Sequence, residues 1–111
     1  MGWFSRRGRS ARQGAGAEQT REERGLASAH LSEFAGSREG VEAFIEPATT
    51  VTPTTVLLVA KDGEWTRRAV PDAARAVEFA RERSMPVYDV NLTGYPQRMR
   101  DYNARKKAQG I

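Results

Sequence analysis

The chain has 111 residues, a net charge of +4 and 39% hydrophobic residues, so it holds one small domain with one thin core. It contains no cysteine and a single histidine, His30, which excludes disulfide scaffolds, thiol nucleophiles, thiolate zinc sites and multi-histidine metal sites. The charge is uneven: residues 1–24 balance at +3, residues 25–64 at −4, residues 65–95 at +1 and residues 96–111 at +4, so the two ends suit an anionic partner or the acidic middle.

Residues 1–24 are rich in Gly, Ser, Arg and Gln and show no hydrophobic period after Trp3 and Phe4, which predicts a disordered basic arm. "MGWFSRRGRS" lacks the apolar run of a secretory signal and misses the myristoylation pattern, and no segment has membrane-spanning length. A cytoplasmic protein without an integral membrane segment is the expectation. "GAGAE" lacks a preceding strand and the third glycine of a dinucleotide fingerprint, so it reads as linker.

Residues 25–111 read as a single α+β domain. Leu26, His30, Leu31 and Phe34 fall near one face of a short helix that Gly36 or Gly40 ends. His30 beside that face reads as a satisfied, partly buried histidine rather than a catalytic base, because no nucleophile pattern accompanies it. "VEAFIEP" alternates, with Val41, Ala43 and Ile45 opposite Glu42, Phe44 and Glu46. The two glutamates read as an exposed acidic edge that discourages sheet-to-sheet pairing. "TVLLVA" (55–60) is apolar on both faces and reads as a central strand.

Asp62-Gly63 predicts a type I′ hairpin into an antiparallel strand over Trp65–Val70. "PDAARAVEFARERS" (71–84) is the clearest helix, capped by Asp72, with an apolar stripe of Ala73, Ala76, Val77 and Ala80. Residues 85–92 predict a further strand, and Pro96 opens a last helix. The order predicts a small mixed, mainly antiparallel four-stranded sheet with two or three helices packed on it.

The motifs "VEAF-EP", "DGEWTRR" and "GYPQRMRDYN", spread over about residues 25–105, resemble a family of small actinobacterial proteins of unknown function. Members of that family often carry a generic oxidoreductase label. The resemblance supplies no catalytic residues, and no cofactor is expected.

No motif encodes a reaction. A Rossmann site needs a glycine-rich turn between strand and helix, and a hairpin turn follows the apolar strand instead. G-x-S-x-G and H-E-x-x-H are both missing.

The chemistry concentrates in "YPQRMRDYNARKK" (95–107). On a helix, Tyr95, Met99 and Tyr102 form one stripe, with Arg98 and Arg105 on one border and Arg100 and Lys107 on the other. Asp101 is placed to pair with Arg98 and Arg105. Such a helix either packs Tyr and Met on the sheet with solvated cations outside, or neutralises phosphates while Tyr stacks on bases.

The leading expectation is a non-enzymatic module that contacts RNA, a ribonucleoprotein or an acidic protein surface. It uses Tyr95, Arg98, Met99, Arg100, Tyr102, Arg105, Lys106 and Lys107, with Arg67 and Arg68 on the hairpin strand. The alternative is a small oxidoreductase-like or redox-accessory protein with a shallow anion site at Arg67, Arg68, Tyr95 and Arg98. A third is an interaction subunit paired through an open sheet edge.

Overall fold

The computed structural model describes residues 19–110. Residues 1–18 of the predicted arm lie outside the described residues. Residues 21–24 do not belong to an arm: helix α1 spans Arg21–Ser37. Its early start has a local cause. Thr20 Oγ1 accepts from the Glu23 N–H (3.0 Å), and the Glu23 carboxylate accepts from the Thr20 N–H (2.8 Å). This capping box satisfies two donors that a helix N-terminus otherwise leaves without partners. The helix runs through Gly36, and Gly40 (φ +63°) makes the turn into the sheet.

The sheet is mixed. Strands β1 (Glu42–Glu46), β2 (Thr55–Val59), β3 (Trp65–Ala69) and β4 (Val87–Asp89) lie in the order β3-β2-β1-β4. The β1–β2 and β2–β3 pairs are antiparallel, whereas β4 runs parallel to β1. β3 and β4 are therefore parallel to each other at opposite edges. Helix α2 (Ala73–Glu82) connects them, capped as expected by Asp72, which accepts from the Arg75 N–H (2.9 Å).

Two predicted elements are corrected. The strand expected over residues 85–92 stops at Asp89. The Asp89 carboxylate accepts from the Asn91 N–H (2.8 Å) and caps a single helical turn, α3 (Val90–Thr93), which leaves Leu92 85% exposed. Local capping wins there because only Val87 and Val90 of this stretch are β-branched and it has no second strand beyond β1 to pair with. The hairpin turn also differs. Only Gly63 has positive φ (+96°), and Gly63 N–H donates to Ala60 O (2.9 Å). The loop is thus a three-residue turn closed by a left-handed glycine rather than type I′.

With helix α4 (Gln97–Ala108), the described residues hold four helices, one of them a single turn. The alternation in β1 sorts the core into two layers. Ala43 and Ile45 join Leu31, Phe34, Val56, Leu58, Ala76 and Ala80 beneath α1 and α2. Phe44 faces the other way and joins Leu57, Val59, Met99 and the half-buried Trp65 beneath α4. The second layer is thin, and Met99 is the one buried side chain of α4. Its burial contributes about 1.5–3 kcal/mol to holding the helix.

Gly63 sets how close α4 comes. A Cβ there would run into the Arg98 carbonyl and lie 2.8 Å from Tyr102 Cβ. Gly63→Val therefore combines left-handed strain with a clash, and is expected to cost about 2–4 kcal/mol in urea unfolding. It should also shift the amide resonances of α4. A stability equal to wild type would show that α4 does not dock on the hairpin.

Candidate functional site

The predicted stripe divides at Pro96. Met99 and Tyr102 lie on α4, the first buried and the second half-buried. Tyr95 precedes the helix, and its hydroxyl donates to Glu46 Oε2 (2.5 Å) at the far end of β1.

The arginines are likewise turned to different tasks. Arg98 points inward: Nη2 donates to Glu42 Oε1 (2.7 Å) and Val59 O (3.2 Å), and Nε donates to Ala60 O (3.0 Å). Arg105 donates to Asp62 O (2.9 Å) and closes α4 onto the hairpin. Asp101 pairs with neither, contrary to the local spacing; it accepts from Gln97 Nε2 (3.0 Å). Tertiary acceptors near the sheet are better placed than a carboxylate on the solvent side of the same helix.

Glu42 and Glu46 are not an exposed acidic edge. β1 is an interior strand, and both carboxylates sit on its α4 side, one on each flank of Phe44. Glu46 is saturated. Its Oε1 accepts from Thr55 Oγ1 (2.6 Å) and Arg67 Nε (2.7 Å), and its Oε2 accepts from Arg67 Nη2 (2.8 Å) and the Tyr95 hydroxyl (2.5 Å). Burial alone would push this carboxyl up, but the hydrogen bonds from Arg67, Thr55 and Tyr95, with the Arg67 charge, hold it below its ordinary value. The same contact raises Tyr95, chiefly through its hydrogen bond to Glu46 and then through burial. A carboxylate with four donors and a depressed pKa is a structural anchor and a poor general base.

The aromatic side chains are engaged too. Trp65 Nε1 donates to Asn103 Oδ1 (2.8 Å), and the Arg67 guanidinium lies 5.2 Å from its ring centre. Arg105 and Lys106 flank the Tyr102 ring at 5.8 and 5.4 Å. Tyr88 stacks on Phe44 with ring centres 5.2 Å apart. His30 Nε2 is hydrogen-bonded to Thr66 Oγ1 (2.6 Å), which matches the satisfied histidine expected from sequence.

Of the predicted binding residues, Arg98, Met99, Tyr102, Arg105, Arg67 and Tyr95 thus build the α4 layer. Arg100 and Lys107 remain on the outer side of α4, and Lys106 lies on the flank of Met99 and Tyr102; all three are exposed. Arg100 donates to Gln97 Oε1 (3.3 Å), and among the described residues no carboxylate lies within ion-pair distance of these three. Arg68 lies apart from them, since β3 turns it toward the α1 side of the sheet. Glu42, Glu46, Gly63 and Asn103 are the participants that sequence reasoning missed. The shared face of Glu42 and Glu46 was the available signal, because two glutamates beside a buried phenylalanine need cations.

Among the described residues, no group of three or more His, Asp or Glu side chains is placed to hold a metal, and no helix is long and apolar enough to cross a membrane. Compared with known proteins, the chain matches no family model, no curated protein and no solved structure.

Because the folded Glu46 pKa is depressed, its contribution to stability is present above the ordinary value of 4.5 and is lost as pH falls through the folded value. Glu46→Gln should cost about 1–2 kcal/mol at pH 7, a modest figure because solvent reaches Arg67. The gap between variant and wild type in urea unfolding should narrow below about pH 4. A gap that is constant with pH would remove Glu46 as the anchor.

Proposed function

We propose that the chain is a non-enzymatic binding module that contacts the phosphate backbone of RNA, within a ribonucleoprotein, through the exposed cations of α4. The observation that carries this is the set of exposed cations without internal carboxylate partners: Arg100, Lys106 and Lys107. Arg100 and Lys107 are seven residues apart and share a helix face, about 10 Å apart along the axis. The arginines of residues 1–18 add to the same charge. The contact is electrostatic rather than base-specific, because Trp65, Tyr88, Tyr95 and Tyr102 are all held by intramolecular partners.

The resemblance to a family carrying an oxidoreductase label favours a different reading, an anion or cofactor site at Arg67, Arg68, Tyr95 and Arg98. The geometry supports it less. Glu46 already occupies the position between Arg67 and Tyr95 where an external anion would bind, and Arg98 is turned to Glu42.

Sedimentation of the tagged protein in a gentle lysate, with and without RNase, tests the proposal. Heavy migration that collapses on RNase treatment is expected. Heavy migration that survives RNase would replace RNA with an acidic protein surface, and migration as a small free species would overturn both. With purified single-stranded RNA, the triple variant Arg100→Glu, Lys106→Glu and Lys107→Glu should bind at least about tenfold more weakly. Its log–log salt slope should be shallower by about 2, at about 0.7 per lost phosphate contact. An unchanged slope in a folded triple variant would exclude α4 as the contact.

A further inference from the structure

The outer edge of β3 is a template for one more strand. The β2–β3 ladder is bracketed by Ala60 N–H donating to Glu64 O (2.8 Å) and Val70 N–H donating to Thr54 O (3.0 Å). Main-chain groups on an antiparallel strand point alternately toward and away from the partner. Thr66 and Arg68 therefore turn theirs to β2, while Trp65, Arg67 and Ala69 turn theirs outward. Two of the outward carbonyls have side-chain donors. Ala69 O accepts from Gln19 Nε2 (2.9 Å), and Arg67 O accepts from Nη1 of Arg68 (2.6 Å). Among the described residues, no main-chain group bonds the outward side of Trp65, Arg67 or Ala69.

The surroundings of the edge select what fits. Leu26 is 67% exposed and sits one helical turn before His30, which is bonded to Thr66. Both residues therefore lie on the flank of α1 that overhangs β3. An apolar side chain on an added strand, facing α1, would cover Leu26 and pack beside Thr66. Arg68 is exposed on that same side, and no carboxylate lies within ion-pair distance of it among the described residues. Arg67, on the other side, is already neutralised by Glu46. A partner N–H at Arg67 O would also release the Arg68 guanidinium for an acid on the partner strand. A second copy of the chain fits less well, because its own β3 would offer Arg68 no acid across this stretch.

We propose that the β3 edge receives an extended segment of a partner protein, with an apolar and an acidic residue two positions apart on the side facing α1. The segment gains main-chain hydrogen bonds from the edge and side-chain selectivity from Leu26 and Arg68. The site is independent of the α4 reading, since α4 covers the opposite face of the sheet.

The test is amide NMR of the full chain, titrated with a short capped threonine-rich peptide holding leucine and glutamate two apart, in both sequence orders. Shifts and slowed hydrogen exchange at the Trp65, Arg67 and Ala69 amides are expected from one of the two orders. Methylating alternate peptide nitrogens should abolish them. Leu26→Arg and Arg68→Glu should each weaken binding about fivefold. Replacing the peptide glutamate with lysine should restore binding to Arg68→Glu. No response at millimolar peptide in either order, equal binding of the methylated peptide, or shifts confined to α4 or to the α1–α2 groove would overturn the proposal. Concentration-dependent broadening of the same three amides without peptide would overturn it in favour of a second copy.

Discussion

The α4 side of the molecule depends on two carboxylates of an interior strand. Glu42 and Glu46 project from β1 toward the layer that contains Phe44, and an unpaired charge there would cost far more than its hydrogen bonds return. Arg98 reaches Glu42 from α4, and Arg67 reaches Glu46 from β3. Each pair ties β1 to an element it does not touch as a strand neighbour. Apolar area could not do this alone, because α4 buries a single methionine. Burial supplies adhesion without direction, whereas the fork of Arg67 on Glu46 and the three acceptors of Arg98 fix where the covering groups sit.

That constraint changes how the basic charge is read. Residues 96–111 carry five cations, which in sequence form one positive patch. In the fold they divide by position on the helix. Arg98 lies on the sheet-facing side and is neutralised internally, and Arg105 closes on the hairpin carbonyl. Arg100 and Lys107 lie outward, Lys106 is exposed beside Tyr102, and Lys106 and Lys107 in the last turn also complement the helix dipole. Among the described residues, the surface open to an anionic partner is therefore narrower than the composition suggests, and it lacks a free aromatic platform.

What was legible in sequence follows from the range of the interaction. Short-range signals were readable: the alternation of Val41–Glu46, the apolar run of β2, and the Asp72 cap with Ala76 and Ala80 appear where their patterns place them, whereas Ala73 of the same stripe is exposed. The capping box of Thr20 and Glu23 was equally local and was masked by the basic, glycine-rich composition around it. Asp89 competed with a short alternating stretch, and a cap formed where a strand was expected. Asp62-Gly63 suits both a type I′ turn and a turn closed by a left-handed glycine, and docking of α4 on Gly63 accompanies the second. The ion pairs were out of reach, because Glu42 and Arg98 are 56 residues apart and only the β3-β2-β1-β4 order brings their elements together.

The same strand order makes the two edges of the sheet unequal. β4 is three residues long and passes directly into α3, so its outer side offers little length for pairing. β3 is longer, follows a tight hairpin, and has α1 leaning over it through His30 and Thr66. An edge strand usually carries charge to repel unwanted pairing, and Arg67 and Arg68 fit that role against a second copy. Yet Glu46 removes the Arg67 charge from one side while Arg68 keeps its own on the other. Repulsion that is neutralised on one side becomes selection on the other: it still opposes a basic strand and favours an acidic one. The residue that anchors the α4 layer thereby also shapes which strands the opposite edge can accept.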